Sequence, residues 1–165
     1  MHADLTQHAR AVSGHVLARG RYATFLTATG AGYSAWNGLA LTRWNADPVE
    51  SGEGLFVYVR DLDSGVFWSL GQQPALKVAE RYAARFTPDR VELMRLDQGI
   101  EARIEVCIAP DADLELRRVK LRNLSDRPRR IELTSYAEVV LNAWAADAAH
   151  PAFSKLFIQT EWVAE

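Results

Sequence analysis

The chain has 165 residues, of which 48% are hydrophobic and 24% are charged. This composition predicts one globular domain with a sizeable core and excludes two full-sized domains. The net charge of −2 gives no overall field that would attract nucleic acid or an anionic membrane. The single cysteine, Cys107, excludes an intrachain disulfide and is typical of a reducing compartment.

No apolar run approaches the ~18 residues that a membrane-spanning helix needs, and the polar N-terminus lacks the apolar centre of a secretory signal. We therefore predict a soluble, cytoplasmic chain. A parent protein bound to the inner membrane, with this domain facing the cytoplasm, is an alternative. Only three of the 19 basic residues are Lys, and the rest are Arg, whose planar guanidinium suits fixed bidentate contacts.

In chain order, residues 1–19 predict an N-terminal arm that is weakly structured or helical, and residues 20–165 predict one β-domain. β-branched and aromatic runs between short turns predict strands at 21–28, 39–44, 54–60, 66–70, 81–86, 90–96, 99–110, 113–123, 131–141 and 155–163. The "DLDSG" turn (61–65) predicts that 54–60 and 66–70 form a hairpin. Regularly spaced strands with almost no helix are typical of an antiparallel sandwich or barrel.

Two strands carry a more detailed signal. In 99–110 apolar and polar residues alternate strictly, which indicates one buried and one solvated face. In 113–123 the alternation shifts phase between Leu116 and Val119. An extra residue at Arg117–Arg118 would keep both apolar pairs facing the core, so we predict a β-bulge there.

Residues suited to catalysis or metal binding do not form recognisable sets. None of His2, His8, His15 and His150 is spaced from another His or from Cys107 as a metal ligand pair would be. The glycines of "TGAGYS" follow a strand and precede no phosphate-binding lysine. Most of the acids lie on predicted solvated strand faces. We therefore predict no metal site, no cofactor and no catalytic residue.

The five tryptophans are more suggestive, because indole rings pack against the C–H faces of sugars. Trp44 and Trp68 lie in or beside strands, which favours the core. Trp36 and Trp144 lie in predicted loops near Asn37 and Asn142, and the sequence supports core packing and sugar contact equally for them.

Four blocks in order carry a family resemblance: "GRYATFLTATGAGYSAWNGLALTRW" (20–44), "RDLDSG" (60–65), "IELTSYAEVVL" (131–141) and "AAHPAFSKLF" (148–157). Together they resemble the N-terminal sandwich domain of the inverting glycoside phosphorylases of the cellobiose phosphorylase type, and most of all the phosphorylase-like region of cyclic β-1,2-glucan synthases. The resemblance implies a two-sheet antiparallel β-sandwich, a supersandwich related to the galactose mutarotase fold. It also implies that the catalytic acid and phosphate-binding residues belong to a separate (α/α)6 barrel, so none is assigned to this chain.

The resemblance implies a fragment of a larger carbohydrate-active enzyme, predicted to be inactive alone. Its expected roles are packing on the helical barrel, contact within a homodimer, and shaping of a cleft for a β-glucan or oligosaccharide. The residues predicted to contact carbohydrate or another domain are Tyr33, Trp36, Asn37, Arg43, Trp144, Asp147, His150 and Phe153.

Two alternatives remain open from the sequence. A free-standing carbohydrate-binding module would build an aromatic platform from Tyr33, Trp36 or Trp144. A mutarotase-like sugar epimerase would pair His150 with Glu138 or Glu161, since that chemistry needs a His and a Glu facing one pocket.

Overall fold

The computed structural model describes residues 5–6, 13–44 and 52–163. The strands are β1 Leu5–Thr6, β2 Gly14–Arg19, β3 Tyr22–Thr27, β4 Gly32–Trp36, β5 Leu39–Thr42, β6 Leu55–Asp61, β7 Phe67–Ser69, β8 Arg81–Thr87, β9 Arg90–Asp97, β10 Ile100–Ile108, β11 Glu115–Asn123, β12 Ile131–Ala137 and β13 Val139–Ala143. Two short helices follow, α1 Trp144–Ala149 and α2 Pro151–Lys155. The prediction of an all-β, antiparallel domain is confirmed.

The hydrogen bonds divide the strands into three antiparallel sheets rather than the two that the family resemblance implies. Sheet I has the order β1-β8-β9-β10-β11, sheet II the order β13-β5-β4-β3-β2, and sheet III the order β12-β6-β7. Neighbouring strands are mostly consecutive in sequence, as expected for a meander joined by short turns. The predicted hairpin is confirmed, since β6 and β7 pair with Tyr58 opposite Ser69.

The core joins all three sheets. One buried cluster combines Leu17 and Leu26 from sheet II, Val59 and Trp68 from sheet III, and a series of residues from sheet I. The alternation in β10 is confirmed, because Ile100, Ala102, Ile104 and Val106 are buried and the residues between them are half-buried on the other face. Trp68 is wholly enclosed, as predicted.

The predicted β-bulge at Arg117–Arg118 is wrong. β10 and β11 pair without a register shift from Ile100 opposite Asn123 to Ile108 opposite Glu115. Regular alternation turns Arg117 inward and leaves Leu116 49% exposed. No bulge is needed, because the inward polar groups find partners: Arg117 pairs with Glu115 and donates to the Leu55 carbonyl oxygen at 2.5 Å.

The single long strand predicted over 131–141 is two strands in different sheets. β12 pairs with β6 in sheet III, whereas β13 pairs with β5 in sheet II, and Glu138 lies between them. Leu133 and Leu141 are 45% and 59% exposed, so the apolar residues of this stretch do not share one buried face. In β13 the buried residue is Val140, and its neighbours Val139 and Leu141 are exposed.

The structure also corrects both ends of the predicted domain. Gly14–Arg19, which we assigned to a weakly structured or helical arm, form β2 and pair with all of β3; most of the rest of that arm lies outside the described residues. The strand predicted over 155–163 is absent: Lys155 ends α2, and residues 158–163 have no regular secondary structure. No helix in the described ranges is long and apolar enough to cross a membrane.

A fully buried arginine holds the loop between β7 and β8. The Arg95 side chain has 0% exposure and forms an ion pair with Asp97, with the second guanidinium–carboxylate contact at 2.9 Å. Its remaining donors reach the carbonyl oxygens of Ser69, Gly71 and Lys77. A buried charge is tolerated when its hydrogen-bonding groups are satisfied, so this loop is fixed by the charge it encloses.

A second enclosed pair closes the β6–β7 hairpin. The Asp61 carboxylate, which has 0% exposure, pairs with Arg129 and accepts from the Asp63 backbone N–H and the Ser64 hydroxyl, each at 2.9 Å. These donors, the Asp63 N–H first, lower the pKa of Asp61 from 3.8 to about 2.

Because the folded-state pKa of Asp61 lies below its unfolded value, its stabilisation is present above about pH 4 and is lost as the pH falls towards 2. We expect Asp61→Asn to be less stable than wild type at neutral pH, and the difference in Tm to narrow between about pH 5 and pH 2. Asp63→Asn, on the exposed side of the same turn, should leave Tm almost unchanged. A difference in Tm between Asp61→Asn and wild type that stays constant across this pH range would contradict this assignment.

Candidate functional site

Four half-buried aromatic rings lie together on one face of sheet II. Tyr33 contacts Trp144 edge-on at 5.0 Å between ring centroids and Trp44 at 5.7 Å. Phe25, which is directly opposite Tyr33 in the β3–β4 pair, adds contacts of 5.7 Å to Tyr33 and 5.5 Å to Trp44. The Tyr33–Trp144 and Phe25–Trp44 contacts are edge to face, a geometry that stabilises aromatic pairs.

Arg43, which follows β5, clamps α1 to this face. Its guanidinium forms a bidentate pair with Asp147 at 2.9 and 2.8 Å, a pair with Glu138, and a 3.3 Å hydrogen bond to the Pro151 carbonyl oxygen. The side chains of Arg43 and Asp147 are only 14% and 10% exposed. The Arg43 guanidinium lowers the pKa of the Asp147 carboxyl, and Asp147 in turn raises the pKa of Arg43.

The helices α1 and α2 meet at His150. The exposed His150 caps the end of α1 and the start of α2, and Pro151 occupies the first turn of α2. Buried Ser154 accepts a 3.3 Å hydrogen bond from the Asn142 side chain and also bonds to Asp147. The clamp on α1 therefore extends to α2 and β13.

The clamped helices present an apolar surface to solvent. Phe153, Leu156 and Phe157 are 58%, 73% and 72% exposed, and the rings of Phe153 and Phe157 lie 5.1 Å apart, edge to face. We call these three residues the helical apolar surface. Lys155 lies beside this surface, and its Nζ is 3.4 Å from Oε2 of Glu138.

The structure brings together some of the predicted contact residues and separates others. Tyr33, Arg43, Trp144 and Asp147 converge at the aromatic cluster and the clamp. Trp36 and Asn37 lie elsewhere: Trp36 projects from the opposite face of β4, donates to Asp113 at 2.8 Å and stacks under Arg21 at 4.7 Å. Tyr33, Trp36 and Trp144 therefore share no common platform.

Among the predicted contact residues of the helical segment, Asp147 is 7% exposed and engaged by Arg43, whereas His150 and Phe153 face solvent. No hydrogen bond or ion pair joins His150 to Glu138 or Glu161 in the described part of the chain, and Glu138 is already paired with Arg43 and Lys155. Groups of three or more potential metal ligands are likewise absent from those residues.

Sequence reasoning missed Ser154 and Leu156 as parts of this region, and it named Glu138 only as a possible partner of His150. Glu138 is instead the residue at which the chain leaves sheet III for sheet II, and its carboxylate pairs with Arg43 and Lys155. The available signal was the run "AFSKLF", in which the apolar residues at 153, 156 and 157 have helical rather than alternating spacing.

The fold and these contacts describe a β-sandwich domain that presents a fixed surface. The family model for the supersandwich domain of glycosyl hydrolase 94 matches residues 1–165, and the chain belongs to that family. The chain is 43% identical over 146 residues to the cyclic beta-(1,2)-glucan synthase NdvB of Rhizobium meliloti (strain 1021), a match that covers 88% of this chain and 5% of the synthase.

Phosphorylases are among its other relatives. The N,N'-diacetylchitobiose phosphorylase of Vibrio proteolyticus is 28% identical over 123 residues, which cover 72% of this chain and 15% of that enzyme. The solabiose phosphorylase of Paenibacillus borealis is 30% identical over 94 residues, covering 57% of this chain and 12% of that enzyme. The chain thus spans a small fraction of the length of each of these relatives.

We expect Arg43→Met and Asp147→Asn each to free α1 and α2 from sheet II while sheet I stays intact. In a double-mutant cycle the pair should show a coupling of about 1.5–3 kcal/mol, the range for a charged hydrogen-bonded pair. Amide hydrogen exchange should speed up over 144–157 and stay unchanged in β9 and β10. The control is Arg21→Met, which removes a more exposed ion pair with Asp113. This substitution should leave hydrogen exchange unchanged both over 144–157 and in β9 and β10.

Independent effects of the two substitutions, or faster exchange spread evenly over the chain, would show that the pair does not hold the helices in place.

Proposed function

We propose that this chain is a non-catalytic sandwich domain of an enzyme similar to the β-glucan phosphorylases or cyclic glucan synthases. In this proposal it packs on the catalytic helical barrel, makes dimer contacts and shapes the carbohydrate-binding cleft. Family membership and the named relatives support an enzyme that makes or phosphorolyses glycosidic bonds. The chain spans 5% and 15% of the length of these two relatives, so their activities are those of much longer proteins.

The helical apolar surface is the observation that carries the proposal. Exposed phenylalanine and leucine side chains are costly to hydrate, and here they sit on helices fixed by a mostly buried bidentate ion pair. Immobilised aromatic and apolar side chains lose little further entropy on binding, which is the arrangement expected of a permanent contact. A contact with the catalytic domain would cover this surface.

The arginine–carboxylate pairs of the domain support a non-catalytic role. Asp147 and Glu138 are held by Arg43, Glu115 by Arg117, and Asp61 by Arg129. For Asp61 and Asp147 these contacts help to lower the pKa of the carboxyl. A general acid needs the opposite, a carboxyl whose pKa is raised towards neutrality.

A direct contact with sugar is the second candidate, and the position of Tyr33 and Trp144 favours it. These half-buried rings lie on the face of sheet II that also carries the clamp, so a cleft formed against that face would have aromatic residues in its wall. In this view the rings line a cleft completed by the catalytic domain, because their edge-to-face packing offers no free-standing platform.

A chimeric synthase tests the role of the helical apolar surface. We expect that this chain, exchanged for its 43%-identical counterpart in the glucan synthase of Rhizobium meliloti, supports cyclic glucan synthesis. Leu156→Asp with Phe157→Asp in the chimera should lower the specific activity by about tenfold or more, the scale of a lost interface hot spot.

The matched control is Leu76→Asp with Val78→Asp, two residues that are 70% and 87% exposed and lie outside this surface. Both double variants should leave the Tm of the isolated chain unchanged. Equal activity of the two chimeras would show that the helical apolar surface makes no functional contact.

A further inference from the structure

The strand β12 has an open edge. In the described part of the chain it pairs with β6 alone and ends sheet III. Five consecutive residues, 132–136, are exposed, so neither face of the strand's centre is covered. Leu133 and Tyr136 are 45% and 47% exposed.

The phase of the hydrogen bonds shows which backbone groups the edge offers. The Leu62 N–H donates to the Arg130 carbonyl oxygen at 2.9 Å, so residues 130 and 62 are a hydrogen-bonded pair. Such pairs recur at every second residue of an antiparallel ladder. Even-numbered residues of β12 therefore bond to β6, and the N–H and C=O groups of Ile131, Leu133, Ser135 and Ala137 point outward.

Four of the other five edge strands in the described ranges carry protective features that β12 lacks, and the fifth, β2, ends in the charged Arg19. β1 and β7 have only two and three residues, and β13 has an irregular register. β11 carries four cations among nine residues. β12 pairs with β6 without a break and has a single charge, Glu132, with no Lys, Arg or Pro. Short length, irregularity and charge are the usual protections against edge pairing.

We propose that the open edge of β12 binds β12 of a second copy of this chain, which forms a continuous six-stranded antiparallel sheet across a twofold axis at Thr134. This inference rests on the dimer-contact role proposed above and locates it. Because the outward N–H and C=O groups belong to odd-numbered residues, odd-numbered residues of the two copies must face each other. A twofold axis at Thr134 achieves this for all four: residue 131 faces residue 137 of the second copy, and residue 133 faces residue 135. Each such pair adds two backbone hydrogen bonds.

The charges fit this register. Glu132 lies opposite Tyr136 of the second copy rather than opposite another Glu132, so no like charges meet. One step beyond the strand, exposed Arg130 comes level with Glu138 of the second copy. The same operation on β11, centred on Val119, would set Arg118 against Lys120, and like charges directly opposite destabilise a strand pair.

One strand pair buries less than the ~1,200 Å² at the lower end of stable interfaces, so the dimer should be reversible and depend on concentration. The two Leu133 side chains would lie diagonally across the axis on one face, within reach of each other. They supply the apolar contact that the monomer leaves exposed.

Sedimentation of the full chain over a range of concentrations tests the proposal. Wild type and Ser135→Ala should dimerise alike. Ser135→Pro removes an outward N–H that β6 does not use, and Thr134→Lys sets two cations opposite each other on the axis. Each should raise the dimer dissociation constant by about tenfold or more while the circular dichroism stays that of wild type.

If Ser135→Pro fails to fold, the dimer dissociation constant of Thr134→Lys alone tests the proposed interface. A wild-type chain that stays monomeric at high concentration, or a Thr134→Lys variant that dimerises as wild type does, would overturn the proposal. Neither result touches the catalytic-domain contact, which the chimeric synthase tests separately.

Discussion

The guanidinium of Arg95 is enclosed on every side, and the loop from Ser69 to Lys77 folds around it. A charge removed from water must recover its hydrogen bonds inside the protein. The Asp97 carboxylate and three loop carbonyl oxygens satisfy it. This segment has few apolar side chains to bury, so its hydrogen bonds to the buried guanidinium hold its backbone in place. The hydrogen bond from Arg95 to Ser69 also joins β9 of sheet I to β7 of sheet III.

Arginine–carboxylate pairs also fix two other parts of the domain. Arg129 reaches across 68 residues to Asp61 and closes the hairpin of sheet III, and Arg43 reaches across 104 residues to Asp147 and fixes the helices on sheet II. The preference for Arg over Lys has its reason here, because a planar fork can hold a carboxylate and a carbonyl at once. Arginines engage the carboxylates of Asp61, Glu138 and Asp147, whereas the helical apolar surface and the edge of β12 are exposed.

The sequence was informative wherever structure follows from neighbouring residues. Alternation located β10, turn chemistry located the β6–β7 hairpin, and Trp68 was correctly placed in the core. It failed where distant partners decide. Arg117 turns inward because it pairs with Glu115 and donates to the Leu55 carbonyl oxygen. Glu115 in turn accepts a hydrogen bond from the Ser34 hydroxyl, and these two residues lie 81 positions apart in the sequence. Residues 155–163 have the composition of a strand, yet Lys155 ends α2 and residues 158–163 have no regular secondary structure. Tyr33 and Trp144 were singled out from the sequence, but only the fold shows that they touch and that Trp36 faces away.

We propose that arginine clamps fix a surface which another domain covers. Amide hydrogen exchange over residues 151–157 tests this most directly, measured in the isolated chain and in the chimeric synthase. We predict moderate exchange in the isolated chain and clear protection in the chimera, with β9 and β10 exchanging equally slowly in both. Identical exchange of residues 151–157 in the two proteins would contradict the account.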